Sequence, residues 1–127
     1  MRILLADDQT KLSSTLRLWL EHLVDFSLVG VALDVTSLIE QSQMLHPDIV
    51  LLDWKLAGLS DNGTRQQLLQ QLHTIAPTMH IVALTTDLTY RNPAFANQVD
   101  AFVSKSEPPD YLAQVLQQIH HMSDDSR

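Results

Sequence analysis

Ile49-Val50-Leu51-Leu52-Asp53 is the stretch that decides the fold. Four apolar residues with no polar alternation suit a central strand covered on both faces by helices, and the run closes on a carboxylate. Runs of the same kind stand on either side of it: Ile3-Leu4-Leu5-Ala6, Phe26 to Val31, Ile81-Val82-Ala83-Leu84 and Ala101-Phe102-Val103. Stretches with helical spacing separate them. Leu12, Leu16, Trp19, Leu20 and Leu23 form one stripe, on a helix that Thr10 or Asp8 is placed to cap. Leu38, Ile39, Met44 and Leu45 mark a second helix, which should end before Pro47, and Leu68, Leu69, Leu72 and Ile75 mark a third, stopped by Pro77. The last opens at Pro108-Pro109, a favoured helix start, and carries Tyr111, Leu112, Val115, Leu116 and Ile119. From Asp87 to Asn97 the apolar residues keep no period and Pro93 interrupts them, so a short, atypical fourth helix is expected there. The fold class is α/β, a doubly wound five-stranded parallel sheet with right-handed crossovers.

The chain has 127 residues, enough for one domain with its own core. Residues 1–120 are expected to form it, with 121–127 a polar tail or the start of a linker. Fifteen acidic residues against eight basic ones give a net charge of -7, which opposes direct nucleic-acid binding and anionic membrane surfaces and favours a cation or a basic protein patch. The absence of cysteine removes disulfides and thiolate chemistry. The three glycines are not spaced as in a dinucleotide or phosphate cradle. No apolar run reaches the roughly 18 residues of a membrane span. Because Asp7-Asp8 follows the first apolar run too soon for a signal peptide, a cytoplasmic location is expected.

In an open parallel sheet, ligands bind beyond the carboxyl ends of the strands. Asp7 and Asp8 follow the first run, Asp53 the third, Thr85 and Thr86 the fourth, and Lys105 the fifth. If strands one, three, four and five are neighbours, these groups converge on one edge. Crowded carboxylates repel one another unless a cation sits among them, and oxygen ligands of this kind suit Mg²⁺. A lysine and a hydroxyl beside them suit the oxygens of a phosphoryl group, which a carboxylate can accept as an acyl phosphate. Each residue alone has a plainer reading: Asp7 or Asp8 as a helix cap, Asp53 as a loop residue, Thr85 as a strand residue and Lys105 as a solvated charge. The six histidines have no zinc-ligand spacing and read as structural or solvated.

These positions resemble the receiver domain of two-component response regulators, with Asp7-Asp8 similar to its acidic pair, Asp53 to its phosphoacceptor, Thr85 to its hydroxyl residue and Lys105 to its lysine. The likeness runs from Arg2 to about Ile119. It implies a flavodoxin-like strand order 2-1-3-4-5 and a phosphoryl group donated to Asp53 by a histidine kinase or phosphotransfer protein. It also implies Mg²⁺ held by Asp8, Asp53 and the carbonyl of Lys55, with Asp7 acting through water. Phe102 matches the family's aromatic switch position, where a core aromatic is the alternative reading. Lys55 and Asp87 match positions that tune dephosphorylation, and they are expected to pair across the mouth of the site. The chain departs from the family at Ala57, which replaces a proline, at Ser106 after Lys105, at Thr86 in place of a smaller residue, and at Gln98 in place of a glycine.

The expected function is that of a phosphorylation switch acting on a partner or output surface, with no enzymatic turnover beyond labelling from phosphodonors and its own dephosphorylation. An interaction module that is not phosphorylated is an alternative. An aspartyl-phosphate phosphatase is a further one, disfavoured because Lys55 stands where such enzymes need a second acid. A C-terminal effector domain outside this chain and a homodimer are possible associations.

Overall fold

The computed structural model describes residues 1–86, 95 and 97–125. The described chain runs β1 (Arg2–Ala6), α1 (Thr10–Leu20), β2 (Ser27–Ala32), α2 (Val35–Leu45), β3 (Ile49–Asp53), α3 (Asn62–Ile75), β4 (His80–Thr85), β5 (Ala101–Ser104) and α4 (Pro109–Asp125). All four strand pairings are parallel, in the order β2-β1-β3-β4-β5. The expected fold and strand order are therefore present. The segment between β4 and β5, where the short fourth helix was expected, lies largely outside the described residues, and so does Asp87.

Alternation along the inner strands divides the core into two layers. Leu4, Ala6, Val50, Leu52, Ile81 and Ala83 face one side, where Leu38 of α2 and Leu68, Leu69 and Leu72 of α3 cover them. Ile3, Leu5, Ile49, Leu51, Val82 and Leu84 face the other, under Leu16 and Leu20 of α1 and Leu112, Leu116 and Ile119 of α4. Every residue of β3 is buried, as a strand with helices on both faces requires. In register, Asp53 lies beside Leu84, and Thr85 beside Ser104, so the chemistry-bearing residues end their strands at one level.

Several local expectations change. α1 ends at Leu20, so His22 and Leu23 lie in the turn beyond it, although Leu23 still packs against the core. Its N-cap is Gln9, whose side chain makes no cap hydrogen bond, and neither Thr10 nor Asp8 takes that place. Met44 is not part of the apolar stripe of α2 and is 79% exposed; Leu38, Ile39 and Leu45 pack toward the sheet as expected, and Val35 joins them. α2 does stop ahead of Pro47, with His46 in the left-handed conformation at φ 46°. α4 continues past Ile119 to Asp125, so most of the expected tail is helix. Its spacing still brings His120 against Phe26, with ring centroids 5.7 Å apart.

Candidate phosphoacceptor site

The site forms at the carboxyl edge of β1, β3, β4 and β5, where the strands run out of backbone partners and side chains take over. Asp7 is fully buried, Asp53 is 4% exposed and Thr85 is 2% exposed, whereas Asp8 is open to solvent. Asp7, Asp8 and Asp53 each bring a carboxylate oxygen within 4.8 Å of the other two. Among the described residues this is the one group of three or more acidic or imidazole side chains so placed. Lys105 reaches in from the turn after β5, where its backbone N–H donates to the carbonyl of Thr85 at 2.8 Å. Its ammonium stands 3.1 Å from Asp7 Oδ2 and 3.2 Å from Asp53 Oδ1, and 3.4 Å from Gln9 Oε1.

The backbone holds both acids. Asp7 Oδ1 accepts the N–H of Gln9 at 2.7 Å, and Asp53 Oδ1 accepts the N–H of Lys55 at 3.0 Å. The Asp7 carboxyl is nevertheless raised above its ordinary range. Burial is the main cause and Asp53 adds a smaller repulsion, while the Gln9 N–H and Lys105 pull the other way. A desolvated acid beside two more carboxylates is an arrangement that a hard divalent cation relieves, so the donor set fits Mg²⁺. Asp7, Asp8 and Asp53 would hold the ion, and the carbonyl of Lys55 belongs to the same loop.

That loop is fixed without the proline that Ala57 replaces. The N–H of Leu56 donates to the carbonyl of Asp53, that of Leu59 to the carbonyl of Leu56, and that of Val35 to the carbonyl of Ala57. Leu56 and Leu59 are buried beneath it. Thr86 is exposed at the rim. Phe102 is partly buried on the α2/α3 side of the sheet, its ring 5.2 Å from that of Trp54, which in turn meets Phe95 at 5.2 Å. The expected pairing of Lys55 with Asp87 cannot be placed, because Asp87 is outside the described residues.

Sequence reasoning missed Arg65. It is 8% exposed on α3, donates from Nε to the carbonyl of Trp54 at 2.9 Å, and lies 5.2 Å over the Trp54 ring. Its spacing to Leu68, Leu69 and Leu72 puts it on the buried face of α3, and that was the available signal. Two of the histidines take structural contacts, His73 with the carbonyl of Gln98 at 3.0 Å and His80 with Asp100 at 3.3 Å, while His22, His46 and His121 are exposed.

The sequence profile of the response regulator receiver domain matches residues 3–117. No curated protein sequence matches the chain. Among solved structures, a LuxR-family two-component response regulator from Aurantimonas sp. superposes with a TM-score of 0.76 at 24% identity, over 93% of this chain and 83% of that one. The receiver domain of AraT from Geobacillus stearothermophilus gives 0.79 at 21% identity, over 99% and 98%. RcsB of Salmonella typhimurium gives 0.79 at 24% identity, over 95% of this chain but 61% of its own length. At such identities the structural likenesses establish the fold, and the profile match over most of the chain establishes the family: this chain belongs to the response regulator receiver domains.

Proposed function

We propose that this domain accepts a phosphoryl group on Asp53 and relays its arrival to a partner or output surface. The observation that carries the proposal is the Lys105 ammonium lying between the Asp7 and Asp53 carboxylates at the buried end of β3. In the transfer, a carboxylate oxygen of Asp53 attacks the phosphorus of a phosphohistidine. The P–N bond breaks, its electron pair returns to the imidazole, and an acyl phosphate remains on Asp53. Lys105 and the Lys55 N–H already face Asp53 and are placed to meet the negative charge that the phosphoryl oxygens bring. Mg²⁺, when bound, supplies further neutralisation of that charge. Thr85, at the end of the neighbouring strand, supplies a hydroxyl on the same edge. Phe102 is two residues before Ser104, the strand partner of Thr85, and is the residue proposed to carry a displacement outward.

The donor proposed is a histidine kinase or phosphotransfer protein, in the cytoplasm, and the domain itself is not an enzyme with turnover. RcsB, three-fifths of whose length this chain spans, has been solved bound to a promoter in the presence of a phosphomimetic. An effector domain joined to this receiver is proposed by analogy. Incubation with acetyl phosphate and Mg²⁺, followed by intact-mass measurement, tests the assignment. One adduct, lost in Asp53→Asn, is expected. Turnover of donor without an adduct would indicate a phosphatase, and neither adduct nor turnover would indicate an interaction module that is not phosphorylated.

A further inference from the structure

Arg65 is a buried cation that Asp61, one helical turn earlier, attracts from beyond ion-pair distance. Among the described residues no carboxylate lies within ion-pair distance of its guanidinium, although burying such a charge is costly. It is held instead by a carbonyl, an amide oxygen and an aromatic face: Nε to the carbonyl of Trp54 at 2.9 Å, Nη1 to Asn62 Oδ1 at 3.1 Å, and the ring of Trp54 at 5.2 Å. The identity of that carbonyl is what matters. The Trp54 C=O and the Lys55 N–H are the two ends of a single peptide group, and in a trans peptide they point in opposite directions. One end accepts from Arg65, and the other donates to Asp53 Oδ1 at 3.0 Å. Guanidinium, peptide and carboxylate thus form one chain of hydrogen bonds.

We propose that Arg65 is a positioning residue for Asp53, acting through the Trp54–Lys55 peptide. The guanidinium does two things to that peptide. It fixes the plane, so that the Lys55 N–H is aimed at Asp53 before any phosphoryl group arrives, and this removes a reorientation from the transfer step. It also places a positive charge on the carbonyl end, which polarises the amide and strengthens the N–H as a donor to a carboxylate or phosphoryl oxygen. Lys55 also contributes its carbonyl to this loop, so the same grip limits how that carbonyl can turn. The route is separate from Lys105, which reaches Asp53 from β5. Arg65 reaches it from α3, through the backbone, and it anchors the loop to the helix that follows.

The kinetic part of this proposal rests on Asp53 being the phosphoacceptor; the hydrogen-bond part does not. The test compares wild type, Arg65→Met, which keeps the aliphatic packing, and Arg65→Lys, which keeps the charge. The readouts are the Lys55 amide resonance in ¹H–¹⁵N spectra and the rate of labelling by acetyl phosphate. In Arg65→Met the Lys55 amide proton should move upfield and exchange faster, and labelling should slow by about tenfold, the scale of a small misplacement at a reacting centre. Arg65→Lys should recover part of both. Should Arg65→Met fail to fold, Arg65→Lys and the wild-type Arg65 Nε–H decide, the latter expected as a resolved, slowly exchanging resonance. An unchanged Lys55 amide in the variants overturns the proposal, whether or not labelling slows, since slower labelling alone would mean a merely structural arginine. If the wild type takes no label on Asp53, the phosphoacceptor assignment fails, and the Lys55 amide comparison still decides the role of Arg65.

Discussion

The Lys105 ammonium and the Asp53 carboxylate lie 3.2 Å apart, with the lysine side chain 9% and the aspartate side chain 5% exposed. The same ammonium is 3.1 Å from Asp7, so one cation offsets two buried acids. Lys105→Met should therefore leave those acids facing each other, at a cost of about 3 kcal/mol in metal-free protein. Urea unfolding in EDTA would measure it. Mg²⁺ should recover much of the loss in the variant, because a divalent ion replaces the missing charge. An equal loss with and without Mg²⁺ would mean that the lysine contributes packing alone.

The loop after Asp53 depends on Gly58, whose φ is +103° and whose missing Cβ would lie 2.8 Å from Val35 Cγ2. Gly58→Ala meets both the backbone strain and the contact, with an expected cost of about 3 kcal/mol. Adding Val35→Ala should relieve the contact and leave the strain. Denaturant midpoints of the single and double variants separate the two terms, and a neutral Gly58→Ala would show that the loop relaxes freely.

Asp61 caps α3 through a reciprocal pair: its side chain accepts the N–H of Thr64 at 2.8 Å, while Thr64 Oγ1 accepts the N–H of Asp61 at 3.2 Å. These contacts lower its carboxyl below the ordinary aspartate value of 3.8, with the Thr64 N–H the leading cause. A carboxyl lowered on folding contributes stability that is fully present above the unfolded value and is lost as pH falls through the folded one. Thermal unfolding should therefore show an acid-side loss beginning near pH 3.8, which Asp61→Asn, a cap that does not titrate, flattens. Asp61→Ala should melt lower at neutral pH as well. An acid limb unchanged in Asp61→Asn would assign that loss to other carboxylates.

Where sequence signals were strong, they were strong for a physical reason. Leu51-Leu52-Asp53 could be read because a strand buried on both faces has no polar residue until it ends, so the first carboxylate marks the carboxyl edge. Lys105 was legible from its place after Val103 in the same way. Met44 was misread because helical spacing alone does not say how wide the buried stripe is, and α2 turns Val35, Leu38, Ile39 and Leu45 to the core while leaving Met44 outside it. Arg65 was passed over because a charge on an apolar stripe reads as an interruption until its partner is known. That partner is a backbone carbonyl, which leaves no mark in a sequence. Asp8 illustrates a similar limit: as a cap or a ligand it has the same neighbours in the chain, and only the fold brings it to Asp53.

Trp54 offers an optical report on the proposed switch. Its indole is fully buried, it meets Phe95 edge-on at 87° and Phe102 at 76°, and its Nε1 has no hydrogen-bond partner among the described residues. A dry indole of this kind should emit to the blue of one in water. The residue also follows Asp53 directly, and its backbone N–H donates to the carbonyl of Leu84, next to Thr85, at 2.8 Å. A rearrangement that draws Thr85 toward a phosphoryl group would pull on the strand end that Phe102 packs beside, and would loosen the Trp54–Phe102 contact. With Trp19→Phe removing the second, half-buried indole, labelling by acetyl phosphate should shift Trp54 emission to the red and lower its intensity. Mg²⁺ alone should give a smaller, saturable change that Asp8→Ala removes. In Phe102→Leu the shift on labelling should shrink while labelling itself persists, since that ring is not among the groups contacting Asp53. Fully labelled protein with unchanged Trp54 emission would remove Phe102 from the output path and leave it a core aromatic.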